Sequence, residues 1–171
     1  MKHVTSGCEQ LAKKQFFIRH NKMGSRIHWE LCRKYGIECT EKWFNHIPSS
    51  VCSTIDKQVE IYWDCKIEVG KGLVHNKPDV VVVDKASKKW IIVDFSVPWD
   101  ANVKTKEEEK CTRYAPLATE IRSIHKVKTE IIPIVVGALG TVPKRLPDYL
   151  KSLGVPGVIG CHQTAALLGT Q

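Results

Sequence analysis

The stretch KPDVVVVDKASKKWIIVDFSV, residues 77–97, decides the fold of this chain. Two runs of β-branched and aromatic residues flank a short polar turn, and this pattern predicts a β-hairpin. If the turn is centred between Ala86 and Ser87, each residue before the turn faces the residue that lies equally far after it. Asp79 then faces Asp94, and their side chains share one face of the sheet.

These two facing carboxylates are the unusual feature of the predicted hairpin. The strands beside them are apolar and are expected to be buried on both faces. An ionised carboxylate in such a place is unfavourable unless it is paired or binds a metal, and two facing carboxylates repel each other. A Mg²⁺ ion would resolve both problems, because it prefers oxygen ligands. The alternative is that Asp79 caps the start of a strand and that Asp94 lies at a solvated strand end.

Composition and charge narrow the class of protein. The chain has 171 residues, enough for one domain with a substantial core. Its net charge of +8 suits a polyanionic partner, although solubility alone also accounts for such a charge. Residues 1–35 contain eight lysines and arginines against two glutamates, a net of +6, so most of the excess lies there. Seven cysteines without a C-x-x-C pair, and no apolar run that would span a bilayer, indicate an intracellular protein with reduced thiols.

The hydrophobic periodicity predicts the elements in the order helix, three strands, helix, strand, helix. The helices are expected over residues 9–35 with a break near 21–24, over 103–125 with a kink or split at Pro116, and over 141–153. The strands are expected over residues 57–69, on both sides of the hairpin turn, and over 129–136, where Pro133 indicates a sheet edge or a bulge. Residues 40–53 are expected to be irregular, with Trp43 and Phe44 packed onto the domain.

Basic side chains recur along the first predicted helix. They could form a face that follows a phosphate backbone, or an ordinary solvated face. The neighbouring Phe16 and Phe17 could stack on nucleic-acid bases or belong to the core. The candidate nucleic-acid contacts are Lys13, Lys14, Arg19, Lys22 and Arg26 of this helix, together with Lys77 and Arg113.

Several segments form an ordered set that resembles a known family. Lys77-Pro78-Asp79, fourteen further residues and then Asp94 resemble the metal-binding core of PD-(D/E)xK nucleases. The set as a whole most resembles the restriction-like endonuclease domain of site-specific non-LTR retrotransposon proteins. The other matching segments are IHWELCRKYGI (27–37), IYWD (61–64), DFSVPWD (94–100), KEEEKCTRY (106–114) and IIPIVVGALG (131–140).

This resemblance implies an α/β fold with the αβββαβ core of restriction endonucleases, in which helices flank a mixed central sheet. It implies a nuclease core over residues 57–154, a basic helical region over 9–56 before it, and a tail over 155–171. The implied activity is nicking of double-stranded DNA in the nucleus, with Mg²⁺ or Mn²⁺ held by the catalytic residues Asp79 and Asp94. The nick would prime reverse transcription of the element RNA by an upstream reverse transcriptase domain.

The nuclease motif usually has a lysine two residues after the second acid, where this chain has Ser96. The resembled family carries this lysine on the following helix, so Lys110 is the candidate catalytic lysine and Lys106 the alternate. Lys110 could also be a surface residue that pairs with Glu107. If neither lysine points inward, the alternative is a catalytically inactive or host-recruited nucleic-acid-binding module of the same fold.

The first eight residues resemble the end of the CCHC zinc knuckle that precedes the nuclease in this family. His3 and Cys8 match the last two ligands of the knuckle, whereas the first two cysteines are absent. Zinc prefers four protein ligands in such sites, so a zinc ion is implied only if the missing ligands are supplied. Residues 1–8 are thus a knuckle remnant that is cut or decayed, or else the two residues are unrelated to zinc.

Overall fold

The protein has a mixed α/β fold, in which helices flank a five-stranded mixed sheet. A computed structural model describes residues 3–70 and 72–158, with side chains at 14, 16–70 and 72–158. The helices are α1 (His3–Tyr35), α2 (Val103–His125) and α3 (Leu146–Leu153), and short 3₁₀ turns lie at Trp43–Asn45, Asp100–Asn102 and Pro156–Val158. The strands are β1 (Val51–Ser53), β2 (Val59–Trp63), β3 (Val80–Asp84), β4 (Lys89–Ser96) and β5 (Lys128–Val135). Within the described ranges, the helices are too short or too polar to cross a lipid bilayer.

The hairpin register predicted from the sequence is confirmed. β3 and β4 pair antiparallel, with Val80 opposite Val93 and Asp84 opposite Lys89. The strands follow the order β1-β2-β3-β4-β5 across the sheet, so β3 and β4 each have a neighbour on both sides. β4 pairs in parallel with β5, because α2 carries the chain back to the start of the sheet. As predicted, Pro133 lies on an edge strand, where a missing N–H is tolerated.

Alternation along β3 separates two apolar clusters on the two faces of the sheet. Val80 and Val82 belong to the cluster that α1 and α3 cover. Val81 and Val83 belong to the cluster that α2 covers. Because every second residue shares a face, Asp94 of β4 lies on the α2 side with Ile92, whereas Asp79 lies just before β3 at the end of the sheet, where its carboxylate contacts His20 of α1.

α1 is one continuous helix, so the break predicted near residues 21–24 is wrong. Gly24 instead allows α1 to approach the sheet closely. A Cβ atom at this position would lie 2.5 Å from Cη2 of Trp63 and 3.0 Å from Cε2 of Phe95. The helix therefore has a glycine where two aromatic rings need space, although glycine is less favourable than alanine in a helix by about 1 kcal/mol.

The region before the hairpin differs from its prediction in four ways. β2 ends at Trp63, because Asp64 has a left-handed φ of +50° that interrupts an extended strand. Beyond this point the alternation breaks, and Ile67 packs on the α2 face instead of the α1 face. The short strand β1 pairs with β2 inside the stretch expected to be irregular, and Phe44 is exposed rather than packed.

The helices after the hairpin are close to their predicted positions. α2 has the predicted bounds, but the split expected at Pro116 does not occur. α3 begins only at Leu146, so Thr141 does not cap it as expected. The Asp100 carboxylate accepts hydrogen bonds from the hydroxyl of Thr141 and from its backbone N–H, the latter at 3.2 Å. Asp100 thus ties the loop after β5 to the start of α2 and keeps Thr141 out of the helix.

Replacing Gly24 with alanine should lower the free energy of unfolding by about 1–2 kcal/mol, because the added methyl group overlaps packed aromatic rings. Helix propensity alone predicts the opposite sign, a gain of roughly 1 kcal/mol. Urea denaturation of both proteins measures the difference. Ser25→Ala is the matched control, since partly exposed Ser25 should change stability by less than about 0.5 kcal/mol. A Gly24→Ala protein that is more stable than the parent would contradict the close packing of α1.

Candidate functional site

A cleft of about 410 Å³ opens at the end of the sheet, where β3 begins and β4 ends. Asp79, just before β3, lines it together with Asp94 and Ser96 of β4. Side chains of α1 line one side of the cleft, and side chains of α2 line the other. The register brings the two aspartates together, because they flank the last pair of the β3–β4 ladder, Val80 and Val93.

Asp94 is a buried acid, with 5% of its surface exposed. Its Oδ2 atom accepts a hydrogen bond from the ammonium group of Lys110, which reaches the strand from α2. Its Oδ1 atom accepts hydrogen bonds from the hydroxyl of Tyr114 at 3.0 Å and from the backbone N–H of Asp79 at 3.3 Å. One cation and two neutral donors therefore replace the water that the carboxylate loses on burial.

Asp79 is held by α1 and by the backbone of β4. Its Oδ2 atom accepts a 2.6 Å hydrogen bond from the backbone N–H of Phe95 and lies 3.3 Å from Nε2 of His20. Burial by itself raises the pKa of Asp79, but the hydrogen bonds from His20 and Phe95 outweigh it, so the pKa is lowered. Burial by itself lowers the pKa of His20, but the Asp79 carboxylate outweighs it, so that pKa is raised.

The two acids of the cleft have pKa shifts of opposite sign. Burial raises the pKa of Asp94 and the charge of Asp79 raises it further, whereas the Lys110 ammonium group opposes both effects. Burial, followed by the charge of Asp94, also raises the pKa of Tyr114, so this phenol keeps its proton. The site thus combines an acid that ionises readily, Asp79, with one that binds its proton more tightly.

The two candidate lysines of α2 differ in position. Lys110 is 8% exposed and contacts Asp94 inside the cleft, so it does not stand on the surface. Lys106 lines the cleft but remains partly exposed, and its Nζ atom lies 2.6 Å from Oε2 of Glu109. Ser96 is buried in the same cleft. α2 therefore supplies the positive charge that Ser96 cannot.

Two further basic residues predicted to contact nucleic acid also line the cleft. Lys77 lies 3.0 Å from Oδ1 of Asp64, and Arg113 pairs with Glu109. Both pairs are partly exposed, so water and salt weaken them. A phosphate backbone could therefore compete with these acids for the two basic groups.

The predicted basic residues of α1 have different surroundings. Lys14 and Lys22 are exposed. Arg19 donates a 3.0 Å hydrogen bond to the backbone carbonyl of Ala138, in the loop after β5. Arg26 lies 2.7 Å from a carboxylate oxygen one helical turn further on and stacks over two tryptophan rings. Arg19 and Arg26 thus have contacts within the protein, and a phosphate-binding face along α1 stays a prediction.

Some predicted residues lie outside the part of the chain that can be described. The side chains of His3 and Cys8, the proposed remnant of a zinc knuckle, are among them, as is the side chain of Lys13. The backbone of residues 3–8 belongs to the first turns of α1. The expected tail is described only as far as residue 158. The zinc knuckle therefore stays a prediction.

Sequence reasoning did not identify His20 or Tyr114 as residues of the site. Tyr114 follows Lys110 by four residues, so helix periodicity places both on one face of α2, and this spacing could have identified it. No spacing links His20 to Asp79, because only the packing of α1 brings them together. Phe16 and Phe17 are exposed and line the cleft, which favours contact with a ligand over a role in the core.

The donor atoms of the cleft suit a hard divalent cation. The carboxylates of Asp79 and Asp94 converge on one opening and repel each other, and oxygen ligands of this kind suit Mg²⁺ or Mn²⁺. Among the described residues, a second group able to hold a metal ion comprises His28, Cys32 and His46. Its nitrogen and sulfur donors suit a softer metal than the cleft does.

Replacing Lys110 with methionine should raise the pKa of Asp94, because the variant lacks the ammonium group that holds this pKa down. NMR of the aspartate carboxyl carbons in metal-free buffer measures the titration midpoint. The matched control is Lys106→Met, which removes a partner of Glu109 and should leave the midpoint of Asp94 in place. An Asp94 midpoint that does not move in Lys110→Met would contradict the buried ion pair.

No protein-family model and no curated protein matches this chain. Among solved structures, it is similar to an N-terminal domain of a reptarenavirus L protein. The two share 18% sequence identity over 88% of this chain and 74% of that chain, with a TM-score of 0.39.

Proposed function

We propose that this protein is a metal-dependent DNA endonuclease with its active site in the cleft. The observation that carries the proposal is the contact between Lys110 and Asp94, since it places a buried cation beside two converging acids. Metal-dependent phosphodiester cleavage needs carboxylates for the metal and a positive charge near the reacting phosphate. The basic residues around the opening suit a polyanionic substrate.

Asp79 and Asp94 would bind Mg²⁺ or Mn²⁺ through their carboxylate oxygens. When bound, the cation would polarise the scissile phosphate and relieve the repulsion between the two acids. The fit depends on Asp79, whose pKa is lowered, and on Asp94, whose pKa is raised by burial and by the charge of Asp79, so a bound cation would favour its ionised form.

The side chains around the two acids would have separate roles. Lys110 Nζ would orient a water molecule and oppose the negative charge that develops on the phosphate. Tyr114 would hold the Asp94 carboxylate in place through its hydroxyl, and His20 would do the same for Asp79. Attack of the water on phosphorus would break the bond to the 3′ oxygen, which takes up a proton and leaves as a 3′ hydroxyl.

We further propose that the domain has the PD-(D/E)xK core and serves a non-LTR retrotransposon in the nucleus. The order α1, β2, β3, β4, α2, β5 supports this core, with the acids on the hairpin and the lysine on the next helix. The ordered sequence segments support the retrotransposon assignment. The nick would then prime reverse transcription of the element RNA by an upstream domain.

One observation favours a second candidate, a nucleic-acid-binding module without turnover. Each acid already has a basic partner in the described structure, Lys110 for Asp94 and His20 for Asp79. The cleft is therefore close to charge balance without a metal ion. Such a module would bind DNA at the same basic opening but would not cleave it when Mg²⁺ is added.

Lys110→Ala should reduce the rate of plasmid nicking in Mg²⁺ by on the order of a hundredfold, because it removes a charge that stabilises the transition state. Binding to duplex DNA should change little, since one cation contributes modestly to phosphate binding. Conversion of supercoiled plasmid to nicked circles measures the rate, and a filter-binding assay measures affinity. Ser96→Lys in the Lys110→Ala background should restore part of the activity, because Ser96 lines the same cleft.

Lys106→Ala is the matched control, and its effect on nicking should be much smaller. Asp94→Asn should abolish nicking, because it removes a metal ligand while keeping the size of the side chain. If both lysine variants and their double variant nick at the parental rate, the proposed mechanism is wrong. A parent that binds DNA and never nicks it in Mg²⁺ or Mn²⁺ would favour the binding module.

A further inference from the structure

A cluster of histidine and cysteine side chains lies where α1, the segment after it and β1 meet. His28 and Cys32 are one turn apart on α1, so they project from the same helix face. His46 follows the first 3₁₀ turn, and Cys52 lies on β1. Donor atoms of His28, Cys32 and His46 all lie within 4.8 Å of one another.

The separations between these atoms resemble those of a tetrahedral zinc site. Zn–S bonds of about 2.3 Å and Zn–N bonds of about 2.0–2.1 Å place neighbouring ligand atoms roughly 3.3–3.8 Å apart. Cys32 Sγ lies 3.9 Å from Cys52 Sγ and 3.5 Å from His28 Nδ1. Cys52 Sγ lies 3.7 Å from the other ring nitrogen of His28. Cys32 Sγ therefore already lies at ligand separation from Cys52 Sγ and from His28 Nδ1. Cys52 faces the opposite ring nitrogen, so its side chain would have to move toward Nδ1 to complete the set.

The contact between His28 and His46 is shorter than the separation of two ligands of one metal ion. His28 Nδ1 lies 2.7 Å from His46 Nε2, which fits a hydrogen bond in which the rings share one proton. A zinc ion in place of that proton needs the two nitrogen atoms to move apart by roughly 0.6 Å. His46 is on an irregular segment and only partly buried, so its ring can make this small movement.

The surroundings of the cluster suit a closed structural site. His28 and Cys32 are each 1% exposed, and the His28 ring packs edge-on against Trp63 with centroids 5.7 Å apart. Structural zinc sites have four protein ligands and no open position, and mixed cysteine and histidine ligands favour zinc over harder cations. A magnesium ion would not suit these donors.

We propose that His28, Cys32, His46 and Cys52 bind one structural Zn²⁺ ion. Both cysteines would bind as thiolates, with release of their protons to solvent. The ion would tie α1 to the edge strand β1 and to the segment between them. This site is separate from the acidic cleft, since His28 is eight residues beyond His20, about 12 Å along the helix axis. It does not depend on nuclease activity.

Metal analysis of the purified full chain tests this proposal directly. The parent should hold one zinc ion per chain, and Cys32→Ser or His46→Gln should each lower that content at least tenfold after dialysis. The matched controls are Cys65→Ser, whose thiol donates to the backbone carbonyls of Ser50 and Trp63, and Asp94→Asn in the acidic cleft; both should keep the zinc. Cys8→Ser should also keep it, which separates this site from the N-terminal pair. A parent that binds no zinc, or a Cys32→Ser variant with parental zinc, would overturn the proposal.

Cobalt substitution tests the fourth ligand. Thiolate ligands of Co²⁺ produce sulfur-to-metal charge-transfer absorption, and Cys52→Ser should lower its intensity by about half, because one of two sulfur ligands is lost. An unchanged band would remove Cys52 from the site and overturn the four-ligand set. Asp94→Asn should leave the band in place, whatever its effect on nicking.

Thermal unfolding of the parent keeps the proposal testable if the variants fold poorly. Removal of zinc with a chelator should lower the melting temperature, and added Zn²⁺ should restore it, because the ion binds only the folded arrangement. Mg²⁺ should not restore it, since sulfur and nitrogen donors bind Mg²⁺ weakly. Equal melting temperatures with and without zinc would overturn the structural role.

Discussion

The buried ion pair between Asp94 and Lys110 is the contact on which the rest of the site depends. It joins the end of β4 to α2, the helix that covers one face of the sheet. Loss of either partner would leave an uncompensated buried charge, which typically destabilises a protein by about 3–5 kcal/mol. The same helix packs Leu117 and Ile121 into the core, so the position of Lys110 is set by apolar packing further along α2.

α1 lies on the face of the sheet that α2 does not cover, and it connects the two candidate metal sites. His20 contacts Asp79 at the cleft, Gly24 gives space to Trp63 and Phe95, and His28 joins the histidine and cysteine cluster. These three helix positions are four residues apart, so they follow one stripe along the helix. A displacement of α1 would therefore disturb the acid at one end and the cluster at the other.

Local patterns in the sequence were sufficient to predict the hairpin, the bounds of α2 and the meeting of Asp79 with Asp94. Each depends on strand alternation, helix periodicity or a turn, which act over a few residues. The unbroken α1 and the role of His20 could not be predicted this way, because both depend on contacts with residues far away in the chain.

The histidine and cysteine cluster is likewise only partly predictable from local patterns in the sequence. The i, i+4 spacing of His28 and Cys32 is visible in the sequence, but His46 and Cys52 join them through contacts between residues far apart in the chain. The pattern did not predict β1, because a three-residue strand is too short to show alternation. Short edge strands and long-range helix contacts are thus where sequence reasoning fails for this fold.

The central claim is that Asp79 and Asp94 hold a divalent cation beside Lys110. Anomalous diffraction from crystals grown with Mn²⁺ tests it most directly, because the signal locates the ion without any assumption about activity. We expect a Mn²⁺ peak within coordination distance of both carboxylates, and no peak at that place in an Asp94→Asn crystal. A parent crystal whose cleft shows no Mn²⁺ peak, with Lys110 still paired to Asp94, would contradict it.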